Sequence, residues 1–336
     1  MSDPIRVGIV GAGAIAQVAH LPALARSDQA TVVSICDNDR AKAQSLAQRF
    51  DIPNAFDDIE DLLKVTTPDA VIICTPNHLH EIHVKTALSA HAHVLCERPL
   101  GLSADGIRDV LAEKKRVNRS VMVGMNYRFR EDVQNVRALL ANDELGRIHT
   151  VRSGWYTFRP SRHSLGWRRR RAQSGGGAVL DLGLGLLDLT LHVLGDAPPI
   201  SVSAAFANKS GDRAEVEDSG CALIRFADGV TALVDVSWAW VGESERFWFG
   251  VHGSEGSAAI SPLRVYKAMH GSAVDVTPAG ADGRDAFMTS YTAQWANFVG
   301  IVRGTLHEPD LGDQVMLHQL LDAVYLAAAE GRTVEV

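Results

Sequence analysis

The first third of the chain alternates two patterns. Short apolar runs, rich in β-branched residues, at 5–10, 31–36, 69–74, 93–96 and 121–124 read as strands buried on both faces. Between them, 14–27, 39–49, 78–90 and 103–118 read as helices, the first interrupted near Pro22. Asp37, Asn77 and Ser103 stand where the later three would take N-caps. Regular alternation of strand and helix predicts a doubly wound parallel sheet. Past residue 125 the pattern changes. A helical run at 131–142 stops near Gly146, and 147–158 then alternates as a long strand. Further strand patterns at 200–207, 219–226, 230–240, 246–252 and 263–267 follow at short spacing, with Asp228-Gly229 as a hairpin turn. Apolar helices are predicted at 178–194, 286–303 and 312–330. The expectation is an α/β chain of two domains: residues 1–125 as a parallel-sheet domain, and residues 126–336 as an α+β domain with a large, mostly antiparallel sheet.

The glycines after the first strand add chemistry to this outline. Gly11-Ala12-Gly13-Ala14-Ile15-Ala16 fits the Gly-x-Gly-x-x-Ala fingerprint of a Rossmann dinucleotide loop, in its required place between a strand and a helix. Gly11 makes the tight turn, Gly13 lets the backbone approach a pyrophosphate, and Ala16 is small enough for close helix–strand packing. Ala14 and Ile15 open a helix whose free N–H groups would aim at the phosphates. Asp37, at the tip of the second strand, can accept hydrogen bonds from an adenosine ribose and favours NAD; Asn38 and Arg40 beside it keep NADP open. Thr75, Pro76, Asn77 and His80 follow the third strand, and Glu97 and Arg98 the fourth. Both segments leave C-terminal strand ends, where open α/β sheets bind ligands, so they join the candidate cofactor set.

Composition narrows the class. A chain of 336 residues with 46% hydrophobic and 22% charged positions has the make-up of a globular protein of about two domains. A net charge of −7 argues against a nucleic-acid partner. No apolar run reads as transmembrane, and the N-terminus lacks a signal-peptide pattern. Cys36, Cys74, Cys96 and Cys221 are scattered, which fits a reducing cytoplasm and gives neither a disulfide framework nor a metal site.

The glycine loop, Thr75-Pro76-Asn77-His78-Leu79-His80, Cys96-Glu97-Arg98-Pro99-Leu100 and Asn126-Tyr127-Arg128-Phe129 come in an order and spacing that resembles the glucose–fructose oxidoreductase / inositol dehydrogenase / MocA family. The resemblance implies a nicotinamide-dependent oxidoreductase of sugars, polyols or related small molecules. Its second signature is similar to 175–188, with Asp181 in place, but Gly185 stands where the family has a histidine, and Arg98 where it has a lysine. Two of the three groups usually assigned to proton transfer are therefore absent. Arginine effectively never deprotonates, so Arg98 can stabilise negative charge but cannot relay a proton. Asp181 is the remaining acid–base candidate.

Around these, Asn126, Tyr127, Tyr156, His163, Trp167, Arg168 and Gly185 are candidate substrate residues. The run Arg159, Arg162, His163 and Arg168 to Arg171 suggests an anionic derivative, or a solvated loop. His192 is read as structural. The family's second domain implies an open sheet face that pairs with another subunit, hence a homodimer or homotetramer, with outward members of the Trp238, Trp240, Phe247, Trp248 and Phe249 set at the interface. Two alternatives stand beside the dehydrogenase: a non-catalytic NAD(P)-bound sensor or scaffold of the same fold, and an enzyme that uses NAD in an elimination or hydrolysis cycle.

Overall fold

The expected apolar strands pair side by side with one further short strand. β1 (Ile5–Val10), β2 (Ala30–Cys36), β3 (Asn54–Phe56), β4 (Ala70–Ile73), β5 (His93–Glu97) and β6 (Val121–Gly124) form a parallel sheet in the order β3-β2-β1-β4-β5-β6. This computed structural model describes residues 3–158, 166–195, 197–209, 215–278 and 286–336. The strand order reverses at the β1–β4 pair, where Val10 lies beside Ile73, and that reversal opens the ligand crevice of a Rossmann sheet. Val7, Ile9 and all four residues of β4 are inaccessible to solvent, as strands covered by helices on both faces must be.

Helix boundaries follow local chemistry. After Gly13 the chain becomes helical at Ala14 but widens over Ala16–His20, where the Leu21 N–H reaches the Ala16 carbonyl five residues back. The wide turn precedes Pro22, which has no N–H to donate. Asp39, not Asp37, caps the helix Arg40–Arg49 by accepting from the Lys42 N–H. Ser103 caps Ala104–Val117 as expected. Asn77 does not cap: the chain makes a tight turn over Asn77–Leu79, and the helix His80–Ser89 starts without a side-chain cap. The helix Ile59–Thr66, with Asp58 as cap and Ile59, Leu62, Leu63 and Thr66 buried, is absent from the sequence expectations although its stripe and cap are both legible.

The second sheet has nine strands: β7 (Ile148–Tyr156), β8 (Pro199–Ala207), β9 (Ser219–Phe226), β10 (Thr231–Ser237), β11 (Arg246–Gly253), β12 (Gly256–Ile260), β13 (Arg264–Met269), β14 (Ser272–Asp275) and β15 (Val334–Glu335), ordered β14-β13-β12-β11-β7-β10-β9-β8-β15. Only β7 and β10 pair in parallel; the long helical excursion after β7 permits that crossover. The Asp228-Gly229 turn forms with Gly229 at φ +89° and the Val230 N–H on the Asp228 carboxylate. The stretch Arg171–Leu194 covers one sheet face. It is long and apolar enough by composition to cross a membrane, contrary to the sequence expectation, but a bend over 175–177 interrupts it and 78% of its most apolar window is buried inside the protein. It is a core helix: Gly183 rests on Val236 of β10.

The chain divides into two compact units, Met1–Asn126 with Phe287–Val315, and Tyr127–Ala286 with Met316–Val336. The first therefore includes a segment that the sequence expectation placed in the second domain. The reason lies in the helix Ala286–Val302, whose Trp295 indole donates to His20 at 3.3 Å while Ser290 accepts from Asn126 at 3.0 Å. Glu308 then accepts from the Val121 N–H and pairs with Lys114.

Candidate active site

The dinucleotide loop is built by the ends of β1, β2 and β4. Gly11 has φ +100°, and a Cβ there would sit 2.6 Å from the Cys74 carbonyl carbon and oxygen. No other residue fits. Gly13 is different: a Cβ would meet nothing nearer than 3.8 Å, so the space above it is free for a phosphate to approach. Ala16 is fully buried where helix and strand pack, Ile15 is half-buried and Ala14 is exposed.

Asp37 organises the β2 side. Its Oδ2 accepts from the Ala12 N–H at 2.8 Å and from Lys42 at 3.3 Å, and Oδ1 accepts from the Asp39 N–H at 3.0 Å. A carboxylate offers about four acceptor sites, which leaves room on Oδ1 for a ribose hydroxyl. Arg40 pairs outward with Asp57 at 3.8 Å and Asn38 is exposed. Lys42, which the sequence did not single out, is the cation that Asp37 binds.

The loops after β4 and β5 meet at His80. Its ring bridges the Thr75 and Pro99 carbonyls, and the Thr75 hydroxyl bonds His83. Thr75 and Pro76 are half-buried and Asn77 is buried. Glu97 is held by His20 at 2.7 Å and by the Tyr291 hydroxyl at 3.4 Å. Burial alone would raise the Glu97 pKa; the His20 hydrogen bond and the charges of His20, Arg98 and His80 outweigh it and bring the carboxyl below its ordinary value. His20 is a second residue the sequence gave no reason to select. Arg98 follows directly, half-buried. Asn126 spends its amide on Ser290 within the same unit.

In the second unit, Asp181 stands in the first turns of the buried helix. Arg168 Nε donates to its Oδ1 at 3.3 Å and Trp238 Nε1 to its Oδ2 at 3.2 Å. The guanidinium lies 4.4 Å above the Trp167 ring, which fixes its position. Arg169 pairs with Asp218 at 3.2 Å. Gly185 is buried one turn beyond Asp181. Asp188 is buried and taken by Arg128 in a two-pronged pair. His192 accepts from Arg137, and burial with the Arg128 and Arg137 charges pushes it down to about 4, as befits a structural histidine.

Other candidates are not brought to Asp181. Tyr156 lies on the opposite face of the sheet from the Asp181 helix: its hydroxyl donates to Asp235, while the helix packs on neighbouring Val236. Burial and Asp235 push Tyr156 up to about 12, so it is no general base. Tyr127 is engaged in an aromatic cluster, stacked on Phe247 at 5.2 Å and edge-on to Trp155 at 5.9 Å. His163, with Arg159 and Arg162, lies outside the described residues. Among the described residues no group of three His, Cys, Asp or Glu side chains forms a metal constellation.

Two family models match in tandem: the oxidoreductase family with NAD-binding Rossmann fold over residues 5–125, and the GFO/IDH/MocA C-terminal domain over residues 133–259. The chain belongs to the GFO/IDH/MocA oxidoreductase family. Its relatives include the D-glucoside 3-dehydrogenase of Escherichia coli (strain K12), 26% identical over 100% of this chain and 98% of that one. The inositol 2-dehydrogenase of Rhizobium meliloti (strain 1021) is 29% identical over 99% of both. Among solved structures, GenD2 from gentamicin A biosynthesis in complex with NAD superposes with a TM-score of 0.86 at 28% identity, covering 100% of this chain and 97% of that one. The cofactor of the GFO/IDH/MocA Rossmann domain is NAD. The open space over Gly13 and the spare acceptor site on Asp37 fit its pyrophosphate and ribose. The chain carries both modules of the family.

Proposed function

We propose that the protein is an NAD-dependent dehydrogenase or reductase that moves hydride between the nicotinamide and a secondary alcohol or ketone of a sugar, polyol or related small molecule. The observation that carries the reading is the Asp181 carboxylate, fixed at both oxygens by Arg168 and Trp238 in a family of NAD-binding oxidoreductases. Oxidising an alcohol releases a hydride, which nicotinamide accepts, and a proton, which a side chain must accept. Asp181 takes that proton directly or through a water. Arg98 holds the substrate oxygen and stabilises its developing charge, and because a guanidinium effectively never deprotonates it relays no proton. Arg168 and Arg169 are committed to Asp181 and Asp218, which supports a neutral sugar or polyol ahead of an anionic derivative. Four free cysteines, three of them buried, fit a cytoplasmic setting.

The test is a screen of sugars and polyols with purified protein and NAD, read as absorbance of the reduced cofactor. Accumulating NADH supports the dehydrogenase. NAD binding without turnover of any substrate would favour the sensor or scaffold, the reading that Arg98 and Gly185 support. Transient reduction without accumulation would favour an elimination or hydrolysis cycle.

A further inference from the structure

We propose that His80 is held as a buried imidazolium that ties two loops of the dinucleotide-binding unit together, so that NAD(H) affinity depends on its second proton. The ring is 1% exposed. Its Nδ1 lies 2.6 Å from the Pro99 carbonyl oxygen and its Nε2 lies 2.7 Å from the Thr75 carbonyl oxygen. Both oxygens can only accept. A neutral imidazole has one N–H, so in either tautomer one of these contacts would set a ring lone pair against a carbonyl lone pair at hydrogen-bond distance. Two N–H groups satisfy both contacts.

The surroundings act in both directions. Burial is the largest influence and, with the charge of His78, brings the His80 pKa below its ordinary value, against the upward pull of the Pro99 and Thr75 carbonyls and Glu97. His83 on the same segment is pushed down to about 4 by burial and by His80, so it adds no charge of its own at neutral pH. The Cys74 and Cys96 thiols are pushed well up by burial and stay neutral. Glu97 is thereby the anion facing His80, and Arg98 is the cation on the same loop. Geometry decides between the opposing influences, because no arrangement of a neutral ring makes both bonds.

The two bonds connect parts that matter to cofactor binding. At one end, the Thr75 peptide lies against Gly11, where a Cβ would meet the Thr75 nitrogen at 2.8 Å. A shift of Thr75 therefore reaches the first glycine of the pyrophosphate loop. At the other end, Pro99 follows Arg98 directly. His80 is a positioning residue: it acts on the cofactor through the loops that it spans.

The experiment is nitrogen NMR of the intact protein with labelled histidine, the His80 ring being assigned by correlation to its own backbone so that no variant is needed. At pH 7 both ring nitrogens of His80 carry protons. In parallel, NADH affinity is titrated from neutral to alkaline pH for the parent and for His80→Gln. Parent affinity holds at neutral pH and weakens roughly tenfold as the ring loses its second proton, the scale of one buried charge-assisted hydrogen bond. His80→Gln is already weaker at pH 7 and lacks the alkaline step. A ring with one bare nitrogen at pH 7 overturns the proposal, as does a folded His80→Gln protein with the parent's affinity and pH profile. Should the variant not fold, the NMR state and the parent profile still decide. Failure to bind NADH at any pH would instead count against the cofactor assignment.

Discussion

Gly11 and Gly13 are one residue apart and constrained by different things. Gly11 is locked by its own conformation and by the Cys74 carbonyl, 2.6 Å from where a Cβ would be. Gly11→Ala is therefore a folding lesion: positive-φ strain of about 1–3 kcal/mol, with a clash added, lowers the melting temperature and takes cofactor binding with it. Gly13 has 3.8 Å of clearance. Gly13→Val leaves the melting temperature of the protein near the parent's and abolishes NADH binding in calorimetry, because the branched side chain occupies the path of the phosphate. A Gly13→Val protein that binds NADH normally would contradict the dinucleotide loop. The fingerprint was legible because local backbone chemistry writes it. The partners of Asp37 were less so: Lys42 is adjacent through the helix turn, but its use as a counter-ion depends on rotamers that no pattern encodes.

At the scale of elements, the start of the Asp181 helix depends on one residue of the loop before β9. Glu217 Oε1 accepts from the Gly177 and Val179 N–H groups, both at 2.9 Å, and from the Tyr325 hydroxyl at 2.8 Å; its backbone carbonyl accepts from Ala178. Three N–H groups that helix geometry leaves orphaned are thus satisfied. Glu217→Ala removes the side-chain bonds and costs about 1–3 kcal/mol in denaturant unfolding. Glu217→Gln keeps an acceptor oxygen and gives a different signature. Burial raises the Glu217 pKa above 4.5, so the stability contributed by the protonated carboxyl is present below pH 4.5 and lost as pH rises through the folded value. Gln does not titrate, so its stability relative to the parent improves over that rise. A Gln variant whose deficit grows with pH would refute the assignment. Glu217 was not a candidate on the sequence, since a cap lying 40 residues from the helix it serves leaves no local mark. β12, Gly-Ser-Ala-Ala-Ile, was missed for the opposite reason: it has few β-branched residues, and pairing with β11 and β13 makes it a strand.

At the scale of the whole molecule, alternation and glycine punctuation were enough for the two sheet types, while the division of the chain was not. Residues 287–315 join the first unit through bonds such as Trp295 to His20, 275 positions apart, and apolar periodicity says only that a helix is buried, not against what. Among the described residues, no helix covers one face of the second sheet at its β9–β10 and β13 positions. On it Leu223 and Leu233 pair across β9 and β10 at 47% and 37% exposure, and Tyr266 is 40% exposed. We propose that a second copy of the chain buries this face, giving a two-fold dimer or a pair of dimers. Light scattering at micromolar concentration reads a dimer or tetramer for the parent and a smaller particle for Leu233→Arg. A monomeric parent would refute the proposal.

The central claim is that Asp181, and not a lysine or histidine, accepts the proton in hydride transfer. The most direct measurement is the turnover of Asp181→Asn against the parent, with NAD and a substrate the parent oxidises. Loss of general acid–base assistance lowers kcat roughly 10²–10⁴-fold while NADH affinity stays at the parent value. Parent-like turnover with an unchanged pH–rate profile in Asp181→Asn would contradict the account.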